Sequence, residues 1–253
     1  MRVSVLGLLL AATTVSAQSD PFVPRVLRAF VADSVRLDYL LVLPDGYDAA
    51  PERAWPLVLF LHGSGERGQD LDRVKAHGPP RRVAEGARFP FILVAPQAPD
   101  GTWWDAGALG TLLDEVEAAH RVDPDRVSVT GLSMGGFGAW ALAETFPRRF
   151  AAVAPVCGGG TPGRICAAAT TPVWAFHGAL DDVVSVQRSM EMVQRLERCG
   201  GDVRLTLYPD AGHDSWTATY ADPALYEWIL AQRRPGSRGT PATVRTPHPT
   251  GDR

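Results

Sequence analysis

Val127-Ser128-Val129-Thr130-Gly131-Leu132-Ser133-Met134-Gly135-Gly136 starts as an apolar strand-like run and breaks at a serine flanked by glycines. Helix-forming residues follow from Phe137 to Phe146. A strand that turns abruptly into a helix holds the residue at the turn in a strained backbone conformation with its side chain exposed. Small neighbours are needed because side chains there collide with the turn and with adjacent strands. Ser133 is therefore read as a nucleophile on a strand-to-helix elbow. A turn that merely contains serine is the competing reading, and the strand before and helix after argue against it.

Working outward, Trp55–Leu61, Phe91–Ala95, Ala151–Pro155, Val173–Phe176 and Val203–Leu207 repeat the short apolar run, as strands covered on both faces do. Val26–Val31 and Val35–Leu43 read as an edge hairpin across a tight Ala-Asp-Ser turn. Helical patterns fall at Leu109–His120, Met134–Thr145, Val186–Arg198 and Pro223–Ala231. Strands alternating with helices predict an α/β fold: a mainly parallel, eight-stranded sheet with helices on both faces. Only about seventeen residues, rich in Gly, Ala and Thr, separate Pro155 from Val173, so no lid domain is expected there.

In such a sheet, ligands meet the C-terminal ends of the strands. The polar residues collect there: His62-Gly63-Ser64-Gly65-Glu66-Arg67-Gly68 after Leu61, Trp103-Trp104-Asp105 beyond Ala95, His177–Asp182 after Phe176, and Asp210–Trp216 after Tyr208. A serine hydroxyl needs a base. Of six histidines, His213 follows the last strand behind Gly212, which allows a turn back towards the elbow; His62 and His177, each before a glycine, fit backbone-bonding roles. The base needs an acid to fix its tautomer. Asp181, which turns directly out of a strand, is preferred; Asp182 is the alternative, otherwise facing solvent or capping the next helix. Two N–H groups should receive an oxyanion: that of Met134, at a helix N-terminus, and that of Ser64, with Gly63 as alternative. Glu66 and Arg67 are expected to pair and brace their loop. Trp103 and Trp104 suggest a substrate-binding wall for an acyl or aryl group, Trp104 being preferred of the two; aromatics that merely pack the loop are the competing reading.

The chain from about Tyr39 to Leu230 resembles the α/β-hydrolase superfamily. Four motifs carry the likeness: Leu61–Gly68, Gly131–Gly136, Phe176–Val183 and Tyr208–Trp216. Within the superfamily it is most similar to secreted bacterial esterases and "predicted peptidases" related to the phospholipase/carboxylesterase, dienelactone hydrolase and feruloyl esterase groups. One departure is Ser185, where relatives often carry proline. The resemblance implies ester hydrolysis through an acyl-enzyme on Ser133, with His213 and Asp181 completing the triad. It implies a serine carboxylesterase acting on short-chain or aryl esters, free or polymer-linked. A serine peptidase of prolyl-oligopeptidase type ranks lower, for want of a propeller-like domain. A non-catalytic binding module ranks lowest, since no triad residue is missing.

Composition adds boundaries. Residues 1–17 combine Arg2, the apolar Val5–Ala12 and a Val15-Ser16-Ala17 cleavage pattern, which reads as a secretory signal peptide. An exported protein, secreted or periplasmic, with a catalytic domain over 18–231 is expected, and no membrane span. Residues 232–253 are rich in Pro, Gly, Thr and Arg and read as a disordered basic tail. The formal charge is −3; without residues 1–17, which hold one arginine, and the tail, with five arginines and one aspartate, the body is near −8. Such a body argues against nucleic acid as a partner. Three cysteines leave one unpaired. Cys166 precedes a strand and Cys199 ends a helix leading into the next, so both lie towards the N-terminal edge and a Cys166–Cys199 disulfide is predicted, with Cys157 free. Neither metal-ligand spacing nor a phosphate-cradling loop is present, so no metal or cofactor is predicted.

Overall fold

Trp55–Leu61 is buried along its whole length, as an uninterrupted apolar run requires. This strand, β3, lies near the middle of one sheet in a computed structural model that describes residues 20–29, 35–234 and 236. The remaining strands are β1 (Val23–Ala29), β2 (Val35–Val42), β4 (Ile92–Gln97), β5 (Val122–Leu132), β6 (Ala152–Val156), β7 (Val173–Gly178) and β8 (Val203–Tyr208). Their order across the sheet is β1-β2-β4-β3-β5-β6-β7-β8. The β1–β2 and β2–β4 pairings are antiparallel and the rest parallel, matching the predicted eight strands. Residues 30–34, where the tight Ala-Asp-Ser turn is expected, the segment 1–17 and the stretch 237–253 lie outside the described residues, so the expected leader and most of the expected tail do too.

Alternation along β3 divides the core. Leu57, Leu59 and Leu61 join one apolar cluster with Leu113, Trp140 and Leu196, from α2 (Ala106–Ala119), α3 (Met134–Thr145) and α4 (Gln187–Arg198). Val58 and Phe60 face the other way, onto Val83, Tyr220 and Ile229 of α1 (Gly78–Ala84), α5 (Trp216–Ala221) and α6 (Pro223–Ala231). Burial on both faces accounts for the absence of polar alternation in these strands. Between β6 and β7 the described chain forms a single 3-10 turn, Ile165–Ala168, so nothing there covers the strand ends as a lid domain would.

The disulfide is where the element order placed it. Cys166 lies in that 3-10 turn and Cys199 caps the C-terminus of α4, with Cα atoms 5.5 Å apart. Two helices escaped the sequence reading. α1 opens with Gly78-Pro79-Pro80, which reads as a breaker; yet proline at the first helical positions removes only N–H groups that have no intrahelical acceptor. α5, Trp216–Ala221, is too short and too rich in threonine and aromatics to show a helical period. β5 also begins at Val122, five residues before the apolar run.

Candidate active site

The elbow sits at the end of β5, near the centre of the sheet. Ser133 has φ 52° and ψ −116°, and among the described residues it shares a positive φ outside glycine only with Cys157. Close approach dictates the flanking glycines. A Cβ on Gly135 would stand 1.9 Å from the Leu61 carbonyl oxygen, and one on Gly131 2.4 Å from that of Gly135. The Ser133 N–H donates to the Val156 carbonyl at 3.0 Å, which ties the strained residue to β6.

Three of the sequence-selected residues come together there. His213 Nε2 is 3.0 Å from Ser133 Oγ, and His213 Nδ1 is 2.8 Å from Asp181 Oδ2. With the Nδ1 proton held on the carboxylate, Nε2 is the bare nitrogen and faces the hydroxyl. The Asp181 side chain is inaccessible, and its Oδ1 accepts the N–H groups of Val183 and Val184. Burial pushes the Asp181 carboxyl up as the largest single influence, but the hydrogen bonds from His213, Val184 and Val183 outweigh it and hold the group below its ordinary range. Asp182 is exposed. It does not cap α4, which begins at Gln187; Asp181 fixes that turn instead.

The loop after β3 runs beside the nucleophile, and a Cβ at Gly63 would lie 3.7 Å from that of Ser133. Ser64 follows, exposed, at the start of a 3-10 turn. Met134 is the first residue of α3, so its N–H has no acceptor within the helix. Preorganised N–H groups beside a serine can receive a negative oxygen.

Two expectations about this rim are corrected. Glu66 does not pair with Arg67. Arg67 Nε donates to the Ser64 carbonyl and its Nη1 to Thr102, so the guanidinium braces the loop through backbone oxygens. Glu66 instead stands 3.7 Å from His77 Nε2. Trp104 is also not the open wall. Only 9% exposed, it donates its indole N–H to the His62 carbonyl at 3.1 Å and packs edge-on against the His62 ring. Trp103 is 65% exposed and meets Phe137 edge to face at 5.8 Å. These two rings, Trp104 and Arg188 line a cavity of about 250 Å³.

The remaining histidines have other work. His62 Nε2 accepts from the Ala98 N–H and Nδ1 meets the Gly63 carbonyl at 2.6 Å. Burial pushes this imidazole down to about 4 and keeps it neutral. His120 ends α2, and His248 lies outside the described residues. Sequence reasoning missed Trp216, whose ring stands perpendicular to that of His213 at 5.2 Å, and Phe137. The second carried a usable signal, because it lies one helical turn beyond Ser133. Cys157 is buried, with Sγ 3.3 Å from the Ser133 nitrogen. Its thiol, pushed up to about 12 chiefly by burial, is neutral. Its sulfur and one ligand atom each of Asp181 and His213 lie within 4.8 Å of one another, but hydrogen bonds already engage that nitrogen and oxygen.

A dienelactone hydrolase family model matches residues 105–225, which contain the elbow, Asp181 and His213. A solved thermostable esterase superposes with a TM-score of 0.75 at 32% identity, over 85% of this chain and 64% of that one. The chain has the α/β-hydrolase fold. Among curated relatives of this α/β-hydrolase, poly(3-hydroxyalkanoate) depolymerase C of Paucimonas lemoignei is 34% identical over 121 residues, 41% of this chain and 28% of the relative. A probable feruloyl esterase C of Aspergillus clavatus is 28% identical over 171 residues, 65% of this chain and 61% of the relative. The chain thus spans less than two thirds of either relative.

Proposed function

We propose that this α/β-hydrolase is an exported serine carboxylesterase that cleaves short-chain or aryl esters through an acyl-enzyme on Ser133. The observation that carries the reading is the unbroken line from Ser133 Oγ through His213 to Asp181, at 3.0 and 2.8 Å. His213 Nε2 takes the hydroxyl proton as Oγ attacks the ester carbonyl, and Asp181 stabilises the imidazolium. The N–H groups of Met134 and Ser64 receive the tetrahedral oxyanion. The imidazolium then protonates the departing alcohol, and a water activated by the same nitrogen releases the acid.

The acyl or aryl group goes to the cavity bordered by Trp103, Phe137 and Arg188. The esterase names of the relatives support ester over amide cleavage, as does the easier departure of an alkoxide than of an amide anion. Export is supported by the Cys166–Cys199 disulfide, a bond that persists in oxidising compartments. Among the described residues no helix is long and apolar enough to cross a membrane.

The test is a panel of p-nitrophenyl esters of increasing chain length, methyl ferulate and a peptide nitroanilide, run with wild type and Ser133→Ala. Turnover of short or aryl esters that disappears in Ser133→Ala is the expected result. Peptide cleavage without ester cleavage overturns the reading in favour of a peptidase, and ester turnover surviving Ser133→Ala overturns the site.

A further inference from the structure

Five consecutive carbonyl groups, Gly63 to Arg67, accept hydrogen bonds from side chains. His62 Nε2 accepts the Ala98 N–H, so Nδ1 carries the proton and donates to the Gly63 carbonyl at 2.6 Å. Arg67 Nε donates to Ser64 at 2.9 Å, and Gln97 Nε2 to Glu66 at 2.8 Å. The other two carbonyls, those of Gly65 and Arg67, are both held by Arg73, through Nη2 at 2.5 Å and Nη1 at 2.7 Å. Arg73 stands on the separate 3-10 turn Leu71–Ala76, and its side chain is exposed. Gly68 leaves it room: a Cβ there would lie 3.2 Å from Nη1.

In a trans peptide the C=O and N–H point opposite ways, so a donor that fixes a carbonyl also fixes the N–H of the same plane. Ser64 opens the 3-10 turn Ser64–Glu66, and its N–H has no acceptor within that turn. We propose that Arg73 is a positioning residue for the oxyanion loop: its two bonds, to Gly65 and Arg67, clamp the turn so that the Ser64 N–H is preorganised beside Ser133. The inference rests on the proposed acyl-enzyme chemistry, in which that N–H receives the tetrahedral oxygen. A preorganised donor stabilises a developing charge because it need not reorient as the charge forms. Without Arg73 the turn loses two of its five side-chain anchors, and Arg67, which holds the Ser64 carbonyl, loses the partner on its own carbonyl. The reacting oxygen is fully negative only after attack, so the loss falls on kcat rather than on KM.

The experiment compares Arg73→Ala, Arg73→Lys and Arg81→Ala on p-nitrophenyl acetate. It adds a trifluoromethyl ketone whose hemiketal oxygen takes the place of the oxyanion. Arg81→Ala is the control, an exposed arginine that pairs with Glu85. Arg73→Ala should lower kcat about tenfold, less than the about hundred- to thousandfold that follows outright removal of an oxyanion donor. KM should stay within about twofold. The inhibition constant of the ketone should rise by the factor by which kcat/KM falls. Free guanidinium, too dilute to unfold the protein, should restore part of the loss in Arg73→Ala, because the vacated position is open to solvent. Arg73→Lys keeps the charge but reaches one carbonyl at a time, so it should fall between wild type and Arg73→Ala. The lysine variant carries the test if the alanine variant does not fold. Amide relaxation by NMR should show residues 64–67 more mobile in both Arg73 variants and unchanged in Arg81→Ala.

Wild-type kcat and ketone affinity in Arg73→Ala overturn the proposal. So does a fall in kcat that leaves ketone affinity and the mobility of residues 64–67 unchanged. Should wild type turn over no ester at all, the proposed function fails. The amide relaxation still reads the Arg73 clamp, so the two failures are distinguishable.

Discussion

At the scale of single residues, His62 shows how a buried imidazole couples stability to pH. Its ring accepts the Ala98 N–H and meets the Gly63 carbonyl, and burial lowers it from 6.5 to about 4. The unfolded chain binds a proton near pH 6.5, where the folded protein does not. The contribution to stability is therefore complete above pH 6.5, falls as pH drops towards 4, and changes no further below that. Urea unfolding at pH 7.5 and 4.5 should show a loss of about 2–3 kcal/mol from this group, using 1.36 kcal/mol per pKa unit. In His62→Gln that part of the pH dependence should vanish. An equal pH dependence in the variant would show that His62 is not its source. Asp181 works in the other direction. Its lowered carboxyl adds stability above the ordinary carboxylate range, which is lost only in stronger acid.

The elements explain why the candidate triad is more legible in the sequence than its surroundings. Ser133 follows β5 directly and Asp181 lies three residues beyond β7, where the loss of hydrophobicity marks the end of a buried strand; His213 lies five residues beyond β8, a half-exposed edge strand. Trp103 and Trp104 follow no such rule. Both lie in the loop between β4 and α2, and the sequence holds nothing to say which ring turns inward; the His62 carbonyl and the small Gly138 decide it. The Glu66–Arg67 expectation failed similarly, because a local charge pair was weighed without the carbonyl oxygens of a loop whose shape was unknown. The strand-to-helix elbow yields a sharp prediction at this scale. Gly135→Ala sets a methyl group against the Leu61 carbonyl and should cost about 3 kcal/mol or more, or prevent folding. Gly65→Ala meets nothing within 4 Å and should stay within about 0.5 kcal/mol. Equal unfolding midpoints for the two variants would contradict the close packing of the elbow on β3.

Across the whole molecule, sheet order converts chain order into a site. β3, β5, β7 and β8 end at one edge, and their loops bring Ser64, Ser133, Asp181 and His213 to it. The fold was largely legible, because strands buried on both faces must be apolar throughout and the helices between them carry a recognisable period. α1 and α5 were not, being short and shaped by the core they cover. The exposed Trp103, Leu180, Val183 and Leu207 all stand at the same edge, in a loop after β4, a loop after β7 and the end of β8. An apolar margin at the catalytic edge accords with esters of apolar or aryl groups. The central claim is that Ser133 is the nucleophile of this edge. Reaction with a fluorophosphonate, followed by peptide mass spectrometry, tests it most directly. The account predicts one phosphonyl adduct, on the peptide containing Ser133, formed in wild type and lost in Ser133→Ala; an unlabelled Ser133 in active protein, or equal labelling of the alanine variant, would contradict it.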